Sequence, residues 1–442
     1  MKITGWGQYP TADAIVTLPQ SEDALIDYLK RIKSKTLLDK SKSLITRGLG
    51  RSYGDSSLAS NILQTQYLNH FQSFDENTGL LKCEAGVSLA QILEVFVPRG
   101  WFLPVTPGTR FVTVGGAIAS DVHGKNHHIS GTFCEHITQI EMILGNGEKI
   151  TASPAEHPEL FYATCGGMGL TGIILSASIR LKPILSSDII QTTIKAPNLA
   201  VALKVFEDYR DATYSVAWID CLAKGKNLGR SLLMLGEHAL NGPLVTHGNK
   251  PIPILIDMPA FLLNQHTISA FNTLYYNKSL EAKSTKNIPY EPFFYPLDAL
   301  ANWNRLYGKS GFVQYQFVLP KAAGETGLCE VLSLIANSGK GSFLAVLKTF
   351  GKANKNLLSF PMEGFTLALD FKVEPSLFNL LNELDRIVLK YGGRLYLTKD
   401  ACMSEATFKI SYPRYLEFEA IRRKYHAIGN FASDQSQRLG LQ

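Results

Sequence analysis

Along the first third of the chain, hydrophobic positions recur in short bursts separated by glycine and polar residues, a pattern that predicts strands joined by tight loops. Residues 14–18 read as a short strand, and Ser21 then caps a helix whose Leu25, Ile26, Leu29 and Ile32 fall on one face. Further strands are predicted at 43–46, 62–65, 80–85 and 137–144, the last turning at Gly145, Asn146 and Gly147 into a partner at 148–151. A helix over 158–165 precedes a strand over 173–181. From about residue 186 the glycine clusters disappear and the runs lengthen. Strands are expected at 188–195, 214–221, 311–319, 343–350 and 365–373, with helices at 199–209, 322–336 and 376–390. In the last helix Leu377, Leu380, Leu381, Leu384, Ile387 and Val388 mark a buried stripe. The pattern predicts an α+β protein in which a glycine-rich first unit is followed by a sheet covered by helices.

Three glycine-rich loops interrupt the first unit. Residues 47–55 (RGLGRSYGD) carry two arginines, Arg47 and Arg51. Residues 105–126 hold a turn at Thr106, Pro107, Gly108 and Thr109, then Arg110, then Gly115 and Gly116 opening a short apolar helix. Glycines let a ligand approach the main chain, and free N–H groups at a helix start attract anions. Directly after the helix comes a dense polar knot, His123, Gly124, Lys125 and Asn126. The third loop, 166–172, contains a literal G-x-G-x-x-G string, but a helix precedes it and a strand follows. A dinucleotide fold of the nicotinamide type needs the reverse order, and the first loop also lacks a following helix, so that site is disfavoured. Three such loops in one unit suit a long, folded-over ligand with a pyrophosphate.

Two lysines sit oddly in the second half. Strand alternation puts Lys348 on a face with Leu344, Val346 and Phe350, and Lys399 on a face with Leu395 and Leu397. A lysine on an apolar face either snorkels to water from a strand end or meets an anion. Gln314 and Gln316 share a half-apolar face, which suits a polyol or an exposed sheet equally. Adjacent His127 and His128 point in different directions, so no metal is expected there, and nothing resembles a zinc site, a nucleophilic triad or a Walker loop.

Composition narrows the classes. Of 442 residues, 45% are hydrophobic and 19% charged, which argues against disorder, and the net charge of +6 is spread without basic blocks, which argues against nucleic acid as a partner. Six scattered cysteines without C-x-x-C pairing suggest reduced thiols. No apolar run reaches the ~18 residues of a membrane span and no signal-like stretch opens the chain, so the expected location is cytoplasmic, free or at the inner membrane surface. Residues 251–263 (PIPILIDMPAFLL) are apolar but broken by proline. They read either as a core-packing loop or as a flap touching a lipid or a lipidic substrate.

The sequences RGLGRSYGD, TPGTRFVTVGGAIASDVHGKNHH and GGMGLTGII resemble the FAD-binding half of the vanillyl-alcohol-oxidase type flavoproteins, and the likeness continues through Gln314-Tyr315-Gln316-Phe317, residues 343–348 and residues 393–400. Within that family it points to members that oxidise a lipid-linked sugar phosphate. The resemblance implies a two-domain FAD-binding fold: residues 1–185 bind noncovalent FAD, 186–392 form a substrate domain on an antiparallel sheet covered by helices, and 393–442 return to the first domain. It assigns cofactor contacts to Arg47, Gly48, Gly50, Arg51, Ser52, Tyr53 and Gly54 in the first loop. In the second loop it assigns them to Thr106, Pro107, Gly108, Thr109, Gly115, Gly116, Ala119, His123, Gly124 and Asn126, and beyond the third to Gly172 and Ile173. Substrate contacts fall to Gln314, Gln316, Lys348, Tyr396 and Trp218. Lys399, Lys125 and His123 are the catalytic candidates, with Lys399 facing the flavin and His123 orienting the hydroxyl or acting as base. The implied activity is oxidation of a sugar secondary hydroxyl to a ketone, most readily the 2′-hydroxyl of a polyprenyl-phosphoryl ribose. Oxidation of an aldonolactone or alditol is the alternative. A partner reductase completing an epimerisation and a peripheral membrane contact are the further partners it raises. Two departures stand out: Arg51 occupies the place where covalent members carry a histidine, and Ala368 and Thr366 fall where some relatives have a cysteine and an asparagine.

Overall fold

The long alternating runs of the second half assemble into one sheet. The computed structural model describes residues 1–34, 43–248, 251–259 and 263–441. Among these, eight strands pair antiparallel in the order Lys283–Pro289, Asp188–Ala196, Ser231–His238, Tyr214–Ile219, Ala345–Phe350, Gly364–Lys372, Phe312–Pro320 and Arg394–Leu395. Helices Leu199–Asp208, Gly324–Ser338 and Leu377–Lys390 pack on the sheet, as their periodicity predicts. Leu377, Leu380, Leu381, Leu384 and Val388 are buried and Ile387 is partly so. Each fully buried leucine of such a stripe stabilises the fold by about 1.5–3 kcal/mol.

The strand register then decides what faces a ligand. Gln316 and Val346 both stand opposite Ala368, Gln314 opposite Asp370, and Lys348 opposite Thr366. Side chains two apart share a face, so these residues from three strands form one patch.

Among the described residues, the first unit holds two main sheets besides two two-stranded pairs. Ile15–Thr17, Asn61–Gln64 and Leu44–Arg47 pair in parallel, beside the helix Glu22–Ser34. Lys149–Ala152, Ile137–Ile143, Ile173–Arg180, Leu80–Glu84 and Phe71–Asp75 form an antiparallel sheet in that order. Ser21 caps the first helix by accepting from the Ala24 N–H. Residues 396–441 lie against this unit. Arg438 donates to both Asp55 and Asp400, and Arg422, fully buried, donates to the carbonyls of Leu170 and Phe431.

Several elements escape the hydrophobic pattern. The edge strand Lys283–Pro289 (KSTKNIP) is mostly polar because an edge stays in water, and charge there discourages pairing with other chains. The helix Gln265–Asn277 buries little beyond Ile268 and Asn272. Lys399 is not on a strand face: the strand ends at Leu395, and the Lys399 N–H donates to the Tyr396 carbonyl in a turn. Of the apolar stretch 251–263, residues 260–262 lie outside the described residues. Of the rest, Leu263 packs partly buried against the cluster of Tyr53, Trp303, Tyr307 and Phe312, while Ile252–Pro253 pairs with Leu300–Ala301, Asp257 bridges to Arg305, and Ile252, Leu255 and Ile256 are exposed.

Candidate active site

The three glycine loops and the patch on the large sheet enclose one cavity of about 300 Å³. The first loop needs its glycines where the sequence puts them. Gly50 has φ of 63°, and a Cβ at Gly48 would collide with the Thr113 hydroxyl. Thr113 is the N-cap of the short helix Val114–Ala119, accepting from the Gly116 N–H at 3.1 Å, so loop and helix start are locked together. Gly48, Gly50, Ser52 and Tyr53 line the cavity from the first loop. Pro107, Gly108 and Thr109 line it from the second, followed by Gly115, Gly116 and Ala119, and Gly172 lines it from the third.

The two arginines divide their work. Arg47 reaches the cavity, but its guanidinium is held by the Thr4 carbonyl at 2.7 Å and the Ser57 hydroxyl at 3.2 Å. Arg51 stacks 3.9 Å from the Trp6 ring centroid, and burial pulls its proton affinity down. Asp298, across the cavity wall, accepts from the Arg110 N–H at 2.9 Å, and burial raises its carboxyl.

On the opposite wall are Gln314, Gln316, Lys348, Tyr396, Lys399 and His123. The His123 ring lies among Phe350, Tyr396 and Phe360, with centroids 4.7, 5.1 and 5.6 Å away. Burial pushes its imidazole well below the usual range, reinforced by Lys348, so it is neutral. Burial lowers Lys348 to about 8, and no carboxylate offsets this. Lys399 is lowered by burial and partly restored by Asp370. Asp370 itself is buried, accepts from the Gln314 amide at 2.6 Å, and is pushed up by burial. Tyr396 donates to the Ser120 carbonyl at 3.0 Å.

A third contact ties the polar knot to the strand carrying Lys348. Asp121, with φ of 40° and fully buried, accepts from Asn354, Asn356 and Ser359 at 2.8, 2.8 and 2.6 Å. The neighbouring His127 accepts the Gly351 N–H at Nδ1, 3.1 Å away. These bonds fix the chain after Lys348 against the glycine-rich unit.

Seven residues expected at the site stand elsewhere. Lys125 donates to the Phe293 carbonyl and lies 4.4 Å from that residue's ring centroid, away from the cavity wall. Trp218 donates to the Phe343 carbonyl at 3.1 Å and packs on Tyr275, one strand behind Val346. Thr106 bonds the Tyr295 hydroxyl at 2.7 Å, and Asn126 donates to the Pro104 carbonyl at 2.8 Å. Gly124 and Gly54 are glycines for packing, since a Cβ would strike Asn126 and the Thr106 backbone in one and the Asp400 carbonyl in the other. Ile173 points into the core while Ile174 lines the cavity, as strand alternation requires. Conversely, Trp6 and Trp303 line the wall and Asp370 sits behind it, though no motif marks them. The one signal for Asp370 is an acid on an otherwise apolar strand, FTLALDF.

The wall fits a flavin dinucleotide. Among the described residues, His123 Nδ1 is buried without a hydrogen-bond partner and the two buried lysines Lys348 and Lys399 have no ion-paired acid, while three glycine loops leave main chain open to a ligand. A model of the FAD binding domain matches residues 13–153. The decaprenylphosphoryl-β-D-ribose oxidase of Mycolicibacterium smegmatis is 38% identical over 100% of this chain and 97% of its own. An uncharacterised protein of Streptomyces coelicolor is 30% identical over 80% of this chain and all of its own. A putative D-arabinono-1,4-lactone oxidase of Neurospora crassa is 31% identical, over 33% of this chain and 26% of its own. The cavity's build and the whole-length similarity agree: the chain belongs to the decaprenylphosphoryl-β-D-ribose oxidase family, FAD-dependent oxidoreductases of the vanillyl-alcohol-oxidase type.

Proposed function

We propose that this enzyme oxidises the 2′-hydroxyl of a polyprenyl-phosphoryl-β-D-ribose to a ketone. The observation that carries the reading is that Gln314, Gln316, Lys348 and Lys399 line one cavity together with the glycine loops. Amides suit sugar hydroxyls, and a desolvated lysine gains most from a phosphate. The whole-length similarity to a decaprenylphosphoryl-β-D-ribose oxidase supports the same substrate class.

FAD, when bound, takes up the electron pair that leaves the carbinol. Gly48, Gly50, Gly115, Gly116 and Arg51 would hold it, noncovalently, because Arg51 offers no nucleophile for a covalent link. Lys399 would supply positive charge where negative charge accumulates, and its fixed position means that little reorganisation is needed. Burial lowers the proton affinity of Lys399 and Asp370 partly restores it, so Nζ can exchange a proton near neutral pH. Lys348 would hold the phosphate, and the glutamines the ribose hydroxyls. The working division of the chain is residues 1–185 for the cofactor, 186–392 for the substrate and 393–442 returning to the cofactor side.

No helix among the described residues is long and apolar enough to cross a membrane. Exposed Ile252, Leu255 and Ile256 support a peripheral contact through which a lipid-linked substrate is drawn, with a separate reductase completing an epimerisation. Anaerobic bleaching of the holoenzyme tests the activity. A prenyl-phosphoryl ribose should bleach it, and bleaching by soluble aldonolactones alone would establish the alternative, a lactone oxidase.

A further inference from the structure

The hydrogen bonds around His123 form a chain with a direction. Thr366, 1% exposed, has a single hydroxyl proton, and it is spent on the Phe317 carbonyl at 2.8 Å. The Thr366 oxygen can therefore only accept from Gln316, whose Nε2 lies 3.2 Å away. That contact fixes which end of the Gln316 amide is nitrogen. The same Nε2 lies 3.1 Å from Nε2 of His123. An amide nitrogen has protons and no free lone pair, so the imidazole Nε2 must be the acceptor. A neutral imidazole that accepts at Nε2 carries its proton at Nδ1, the atom that is buried with no partner among the described residues.

We propose that Thr366, acting through the Gln316 amide, fixes the Nδ1–H tautomer of His123, so that His123 serves the cavity as a hydrogen-bond donor and not as a base. With Nε2 occupied and Nδ1 protonated, neither ring nitrogen has a lone pair free to take a substrate proton. The depressed proton affinity of the ring, set by burial and by Lys348, agrees with a neutral donor. Edge-on and tilted packing against Phe350, Tyr396 and Phe360 hinders a ring flip that would exchange the two nitrogens. Thr366 is a positioning residue here, acting on His123 from the second strand of the patch. The donor role rests on reading the cavity as a flavin and sugar site; the tautomer does not.

The test uses the holoenzyme labelled with 15N-histidine, with the His123 signals identified by their loss in His123→Asn. Wild type should show a pyrrole-type Nδ1 and a pyridine-type Nε2 at neutral pH. Thr366→Val, close in shape, frees the Gln316 amide to turn its oxygen to the ring and should shift His123 toward the Nε2–H form, while Thr366→Ser should keep the wild-type pattern. With a short-chain prenyl-phosphoryl ribose, kcat of the valine variant should fall about tenfold with KM little changed, and serine should restore it. An Nε2-protonated wild type, or an unchanged tautomer in Thr366→Val, overturns the proposal. A tautomer that shifts without loss of kcat overturns the donor role. Failure of every sugar to react would count against the proposed substrate and leave the tautomer measurement standing.

Discussion

Lys399 Nζ stands 3.7 Å from the centroid of the Tyr53 ring, bringing a turn near the end of the chain onto the first glycine loop. Tyr53 is packed edge-on against Phe312, in the strand that also carries Gln314 and Gln316. Tyr53 thus links the turn of Lys399 to the large sheet. The stacking also explains why the lysine survives burial: the ring face and Asp370 offset part of its desolvation.

Lys399→Met should therefore keep the fold and the bound FAD but lose turnover. Removing one fixed electrostatic group from such a site costs about 10²–10³ in rate. Stopped-flow bleaching under anaerobic conditions measures this, and a wild-type rate in the mutant would remove Lys399 from the chemistry.

Lys348 makes binding depend on pH. Because burial lowers it to about 8, its positive charge is lost as pH rises through that value, and affinity for a phosphorylated sugar should weaken there. Lys348→Arg stays protonated. KM followed from about pH 7 to about pH 9 should rise in wild type and stay flat in the arginine variant.

Stability should fall on the acid side. His127 is lowered from 6.5 to about 4 by burial, and its Nδ1 must stay unprotonated to accept the Gly351 N–H. A depressed value in the folded state means the unfolded chain binds the proton first. The contribution is thus complete above about 6.5 and is lost as pH falls toward about 4. Thermal melts of His127→Gln should show a shallower loss over that range than wild type.

If the flavin is held noncovalently as proposed, acid precipitation should release its yellow colour into the supernatant. Colour retained in the washed pellet would contradict that reading.

The exposed apolar run near residue 255 predicts a split between substrates. Replacing Ile252, Leu255 and Ile256 together by serine removes an apolar surface without touching the cavity wall. Activity on a long-chain lipid substrate in vesicles should drop at least several-fold, while activity on a short-chain analogue stays. Equal losses on both would argue for a role in folding.

Most of the strands, the three glycine loops and the helix stripe were legible because each rests on local chemistry: alternation, a capping residue, or a glycine at φ of 63°. Lys348, Gln314 and Gln316 were legible for the same reason, as polar residues on apolar faces. Lys125 and Trp218 were not, because whether a side chain points at a cavity or at a neighbouring carbonyl depends on the element packed beside it. For Lys125 that is the Phe293 carbonyl, and for Trp218 the Phe343 carbonyl. Asp370, Trp6 and Trp303 lie in no motif, and only the packed chain puts them at the wall.

The sequence by itself determined the sheet-forming runs and the loops open to a dinucleotide, since both follow from side-chain spacing within a few residues. Tertiary structure alone decided that Lys399 sits in a turn over Tyr53, that Asp370 lies behind Gln314, and that Thr366 orders the proton on His123. Those relationships join strands far apart in the chain, and hydrogen-bond direction and desolvation exist only once the strands are in register.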